Sequence, residues 1–296
     1  VKNLHVKMVL LAVQATLLFV FAWFSANVSA KTIEIKHNKV AGIGAKEEYQ
    51  FGLLKLALSY DKENSYNFVE SSRFLPQITM IEQIKSGQLD VAWTGTSNEL
   101  EQQLMPIRIP LYKGLLGHRI FIIRQGDQAR FDQINTFEQL KTFTAAQERT
   151  WADTTILRSA GIPVIGTRRY ENLFYMLEGG RYDYFPRGVH EPWSEISARP
   201  HLPLTVEKHI LVKYPMPAYL FVNKNNVALA NKINDGLMQA IEDGSFNDYF
   251  FSNPMIKDVI AKANLTDRVM FEINNPNIPS STPFDDKRLW LDINEL

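Results

Sequence analysis

The nine residues GRYDYFPRG, Gly180 to Gly188, place a charge, Arg187, near the end of a short aromatic strand. A guanidinium placed there could fork two hydrogen bonds onto a carboxylate, phosphate or sulfate. It could equally brace its own loop through a salt bridge to Glu191 or Glu195. A second stretch, GQLDVAWTG, Gly87 to Gly95, repeats the skeleton: glycine, any residue, an apolar residue, Asp, a short strand, a polar residue, glycine. Its polar residue is Thr94, and Thr96 and Ser97 follow. Hydroxyls and backbone amides are thereby gathered at the C-terminal end of a strand, where ligands of open α/β sheets sit. A plain turn would use the same residues.

Other candidate groups lie between these two stretches. In AQERTWADTTIL a polar loop ending in Thr150 leads into a helix carrying Trp151 and Asp153. A helix N-terminus can bind an anion or a carbonyl through unpaired N–H groups, and Thr150 or Asp153 can instead cap it. Arg119 either reaches a ligand or braces the chain where it stands. Glu148, Asp153 and Glu191 could serve as acid or base, although nothing in their spacing demands it. The histidines, His37, His118, His190, His201 and His209 beyond the N-terminal His5, show no HExxH or other close pair, so no metal site is expected. GIGAKE at Gly42 lacks the third glycine of a dinucleotide loop, and no G-x-S-x-G elbow exists. No cofactor is expected.

The elements that would position these residues read as two similar rounds. Thr32–Lys36, Tyr66–Glu70 and Asp90–Trp93 read as strands, with helices over Glu47–Tyr60 and Pro76–Ser86 between them, the grammar of a parallel sheet covered by helices. Phe137–Lys141, Trp151–Ala160 and Tyr170–Glu178 read as helices of a second round, with strands at Phe143–Ala146, Pro163–Thr167 and Tyr182–Phe185. Strands follow at His209–Tyr214 and Ala218–Asn223, then an amphipathic helix over Ala228–Glu242. The Asn-, Pro- and Ser-rich tail after Asn253 is expected along the outside of the first lobe.

Residues 1–30 read as a secretory signal: Lys2 and Lys7, an apolar run from Met8 to Phe24, then Val28-Ser29-Ala30 as the exit. Cleavage after Ala30 is expected, with retention as a membrane anchor the alternative. The 266 residues that remain lose two lysines and no acid, turning a balance of 32 basic and 32 acidic residues into a net charge of −2. That gives no electrostatic footprint for nucleic acid. The absence of cysteine excludes a disulfide framework, a thiol nucleophile and a lipoprotein anchor.

In order and spacing, IEQIKSGQLDVAWTGTS, PIRIPLYKGLLGHRIFII, FEQLKTFTAAQERTWADTTIL, MLEGGRYDYFPRG and LMQAIEDGSFNDYF make the chain resemble the periplasmic solute-binding proteins related to the polar amino-acid receptors of ABC transporters. The resemblance covers most of residues 31–252 and implies an α/β, two-lobed type 2 periplasmic-binding architecture with two hinge crossings, near 117–124 and 213–221. Lobe one would comprise 31–117 with 220–296, and lobe two 121–215. It also implies a periplasmic, monomeric, non-enzymatic protein that closes over a small solute and answers to a membrane permease or sensor. The alternative is a lyase or dehydratase on the same fold. The resemblance has two gaps. The arginine that usually follows the first-lobe Thr/Ser loop is absent from SNELEQQLMP, and Arg187-Gly188 stands where an acid usually holds a ligand ammonium. Free α-amino acids are therefore not expected as ligands; a small polar or anionic molecule is. The expected contacts are Thr94, Thr96, Ser97, Arg119, Thr150, Trp151, Asp153 and Arg187.

Overall fold

The computed structural model describes residues 31–295; the expected export signal lies outside the described residues. The first sheet contains β1 (Lys31–His37), β2 (Asn64–Glu70), β3 (Val91–Gly95), β4 (Met105–Ile107) and β11 (Ala218–Val222), in the order β2-β1-β3-β11-β4. β1 runs parallel to β2 and β3, and β11 returns antiparallel between β3 and β4. The second contains β5 (His118–Arg124), β8 (Phe185–Gly188), β9 (Leu204–Val206), β10 (Ile210–Lys213) and β12 (Val269–Glu272), in the order β12-β10-β5-β8 with β9 also on β5. A parallel pair, β6 (Ala145–Glu148) and β7 (Val164–Thr167), extends this half through a bridge from Ala145 to Tyr184.

The repeated glycine–aspartate skeleton folds the same way twice. Helix Gln77–Lys85 stops where Gly87 turns to φ 74°, and helix Tyr170–Glu178 where Gly180 turns to φ 69°. Glycine adopts that left-handed conformation without steric cost. The N–H of the next residue caps the helix in each case, Gln88 donating to the Gln83 carbonyl and Arg181 to that of Met176, at 2.8 and 2.9 Å. The aspartate then clamps the neighbouring backbone from both sides. Asp90 donates its N–H to the Lys36 carbonyl (2.8 Å) and accepts from the Lys36 N–H through Oδ2 (2.7 Å). Asp183 does the same with Thr144, at 2.8 Å both ways.

Each skeleton then enters an antiparallel pairing, Thr94 opposite Tyr219 and Arg187 opposite Ile120. This corrects the reading of the second strand, which covers Phe185–Gly188 rather than Tyr182–Phe185. The Asp183 clamp and the Tyr182 hydroxyl, donated to the Leu173 carbonyl, fix the aromatic run before the ladder begins. Pro186 is tolerated because β8 is an edge strand.

Two extended segments join the halves side by side. Arg119 is opposite Val212 and His118 opposite Lys213, and the Tyr214 N–H donates to the Gly117 carbonyl at 3.0 Å. A Cβ on Gly117 would fall 2.0 Å from the Tyr214 carbonyl oxygen, so only glycine allows this approach. The apolar core is continuous here: Ile120, Val189 and Leu211 pack with Leu53, Val91 and Ile233 of the first half.

The tail departs from its expected path. Helix Pro254–Lys262 buries Ile256 and Val259 against the first half, but β12 then joins β10 in parallel and sends Phe271 into the second core. The apolar alternation of Val269 and Phe271 offers a face that a sheet edge can bury. Beyond it, Asn275 donates to the Pro215 carbonyl (2.8 Å) and the Asn98 N–H to the Asn277 carbonyl (2.9 Å), returning the tail to the first half. A third segment thus spans both halves.

Candidate functional site

Between the two sheets lies a buried, charged cluster centred on Glu191. This residue precedes the short helix Pro192–Ser197, and its Oε2 also accepts the Gly188 N–H at 2.8 Å, which folds the carboxylate back over the end of β8. Three cations converge on it: Arg187 at 2.9 Å, Lys46 at 3.2 Å and Arg119 at 3.7 Å. Lys46 belongs to helix Ala45–Ser59 of the first half, so its pair with Glu191 ties the two halves together. Together these cations hold the Glu191 carboxyl well below the usual carboxylate range, with Arg187 the largest favourable contributor against the burial that opposes it.

Arg119 and Arg187 are 2% and 3% exposed, so each must be compensated. Arg119 pairs with Asp153 at 2.7 Å, and Asp153 also accepts the Tyr214 hydroxyl. Arg119 further donates to the Met216 sulfur at 3.1 Å. Arg187 forks onto Glu195, at 2.8 and 2.5 Å, and its guanidinium sits 4.9 Å over the Trp151 ring, 4.8 Å over Phe185 and 5.7 Å over Tyr170. Tyr170 also donates its hydroxyl to Glu195 at 2.6 Å. With Glu47, 3.8 Å from Lys46, the cluster contains three cations and four carboxylates.

Arg187 does not stand free for an anion in this arrangement: its Nε and Nη2 are engaged by Glu195 and Glu191, the brace that the sequence offered as the alternative. Arg119, Trp151, Asp153 and Arg187 are brought together. The hydroxyl groups are not brought into contact with them. Thr94 accepts from Gln77 at 3.1 Å, Thr96 donates to Glu101 at 2.7 Å, and Ser97 caps the following helix by accepting from Leu100 at 3.2 Å. Thr150, exposed, donates to Glu148 at 2.8 Å. The link across is Gly95, where a Cβ would lie 2.6 Å from the Met216 methyl carbon, and Met216 carries Arg119 on its sulfur.

Sequence reading missed Lys46, Tyr170 and Tyr214 as members of this cluster, and of His190 it said only that no metal site is expected. His190 is buried, its ring stacked 4.1 Å from that of Tyr112, and among the described residues neither ring nitrogen has a hydrogen-bond partner; nor has the Tyr112 hydroxyl. Burial pushes this imidazole down to about 3. The Arg119 Nε–H and the Gln147 amide oxygen are likewise buried without partners, so the interface between the halves holds several unused polar groups.

Solved structures resemble this arrangement of sheets. An ancestral arginine-binding protein bound to arginine matches with a TM-score of 0.53 and 16% identity, over 76% of this chain and 98% of its own. A Salmonella typhimurium periplasmic binding protein of high arginine specificity matches with a TM-score of 0.54 and 16% identity, over 75% of this chain and 99% of its own. A probable amino-acid ABC transporter extracellular-binding protein from Bacillus subtilis gives 0.56 and 14%, over 77% and 100%. The fold is that of the type 2 periplasmic binding proteins. No protein-family model matches the chain, and no curated protein sequence matches it. In this fold Glu191 and its cations lie where the two lobes meet, and the tail strand β12 adds a third connection beside the two crossings.

Proposed function

We propose that the chain is an exported, periplasmic solute-binding protein that closes over a small polar or anionic molecule and serves a membrane permease of the ABC type or a sensor. Its lobes are taken as 31–117 with 220–296 and 121–215, apart from the tail strand β12. One observation carries the ligand class: Lys46 from one side and Arg119 and Arg187 from the other share the single Glu191 carboxylate. An anionic group on a solute can take the place of that carboxylate once Glu191 swings aside, and both lobes then contact it, the condition for a ligand to favour the closed state. Solved proteins of this fold described as binding arginine or glutamine support a binding role. An acid–base reaction is poorly served by Glu191, because a carboxyl held so low cannot deliver a proton near neutral pH.

The test is a thermal-shift and calorimetric screen of neutral, zwitterionic and anionic solutes, arginine and glutamine included, with turnover assayed on every hit. Small anions should stabilise the protein without being consumed. A library in which no anion binds, or in which free arginine binds tightest, would overturn the reading, as would turnover of a hit.

A further inference from the structure

The helix Pro192–Ser197 has two working faces. Glu191 at its start and Glu195 hold Arg187 on the cleft side, whereas Trp193, Ile196 and Ser197 line a separate cavity of about 260 Å³. The far wall comes from Leu204 and Val206 of the second half and from Lys262 and Arg268 of the tail. Lys208 completes it. With Ser197 and Thr205, the lining among the described residues is an indole and aliphatic side chains with two hydroxyl groups, faced by three cationic side chains and no carboxylate.

The cations differ in how far they are already used. The Arg268 guanidinium is 7% exposed and donates to the Ala263, Glu207 and Ile210 carbonyls and to the Glu207 carboxylate. Those four bonds leave one of its five N–H groups uncommitted. Lys262 has only Asp258, at 2.8 Å on its own helix with both side chains about half exposed, a pairing that water largely screens. The Lys208 ammonium has no carboxylate within salt-bridge distance among the described residues. Two available ammonium groups and a spare guanidinium donor thus lie beside an indole and aliphatic side chains.

We propose that this cavity is a second ligand site, distinct from the cleft, for a small carboxylate with an apolar body of arylacetate size. The apolar body would lie against Trp193, Ile196 and Leu204, and the carboxylate would meet Lys208 and Lys262. The site bridges the second lobe and the tail, so occupancy would brace the helix that presents Glu191 and Glu195 to the cleft. It does not depend on what the cleft binds.

The probe is phenylacetate, titrated into protein labelled with 5-fluorotryptophan and followed by fluorine NMR, with Trp193→Phe assigning the resonance. A saturable shift of the Trp193 signal is expected. Phenylacetamide, which keeps the ring and loses the charge, should bind about tenfold more weakly, as should phenylacetate to Lys208→Ala/Lys262→Ala, the loss of roughly one charge-assisted contact. Both lysines are solvent-facing, so the double variant is expected to fold, which its melting curve checks. A Trp193 signal that does not saturate, equal binding of the acid and the amide, or unchanged affinity in the folded double variant would each overturn the proposal.

Discussion

Thr94 and Arg187 occupy equivalent places in two copies of one local design. Both stand four residues after the clamping aspartate, both follow a left-handed glycine, and each lies seventeen residues after the first residue of the preceding helix, Gln77 or Tyr170. In the first lobe Gln77 reaches Thr94 with one neutral hydrogen bond. In the second, Tyr170 lies beneath the Arg187 guanidinium and ties itself to Glu195. The backbone device is the same, but a small hydroxyl can be satisfied locally, whereas a buried guanidinium forces its surroundings to supply carboxylates and ring faces. The charge network between the lobes follows from that one exchange.

The largest expected effect tests this contrast. Arg187→Ala leaves Glu191 and Glu195 buried with one cation fewer and should cost roughly 3–5 kcal/mol. Thr94→Ala, at the equivalent position, removes one hydrogen bond and should cost about 0.5–1.5 kcal/mol. Chemical denaturation measures both. Equal losses would mean that the two positions are energetically alike and the contrast is only apparent.

An intermediate effect sharpens the other half of the comparison. Asp90→Ala and Asp183→Ala each strip a partner from a backbone N–H, that of Lys36 in β1 or of Thr144 just before β6, and each should cost about 1–3 kcal/mol. Similar values would establish the aspartate as a shared device. A loss in one lobe alone would leave the resemblance as coincidence of sequence.

The smallest effect is a pH dependence. Burial pushes the His190 imidazole down to about 3 in the fold, against about 6.5 when unfolded, so the folded state favours the neutral ring. Its contribution is fully present above about pH 6.5 and is lost as the pH falls from there toward 3. His118, pushed down to about 4, acts in the same direction. Glu191, held below its unfolded value, loses its contribution only at lower pH, beneath the ordinary carboxylate range near ~4.3. Melting temperature should therefore fall between pH 6.5 and 5, and less so in His190→Asn. An unchanged slope in that variant would place the effect elsewhere.

Much of the first sheet was legible in the sequence because its helices and strands carry clean periodicity between glycine signals. The counterpart skeletons were also legible, though not what their aspartates do. β8 was misplaced because the aromatic run Tyr182–Phe185 looks strand-like, whereas its early part is held by side-chain clamps. β12 is four residues long in a polar tail, too brief for its alternation to stand out. The site suffered most: Lys46 and Glu191 are 145 residues apart, and no local pattern announces that they meet. Arg187 and its two alternative partners, Glu191 and Glu195, were legible, but whether it braces its loop or stands free depends on which face of the following helix turns back on β8.

The central claim is that the Glu191 carboxylate occupies a place that a small anion can fill. Glu191→Ala should vacate it while leaving Lys46, Arg119 and Arg187 in position, and the most direct measurement is a thermal melt of this variant titrated with acetate, with acetamide as the uncharged control. Acetate is expected to raise the melting temperature of Glu191→Ala in a saturable way and at lower concentration than in the unsubstituted protein, where it must displace Glu191, with no effect from acetamide. Equal responses of the variant to acetate and acetamide, or the same response in the unsubstituted protein, would contradict the claim.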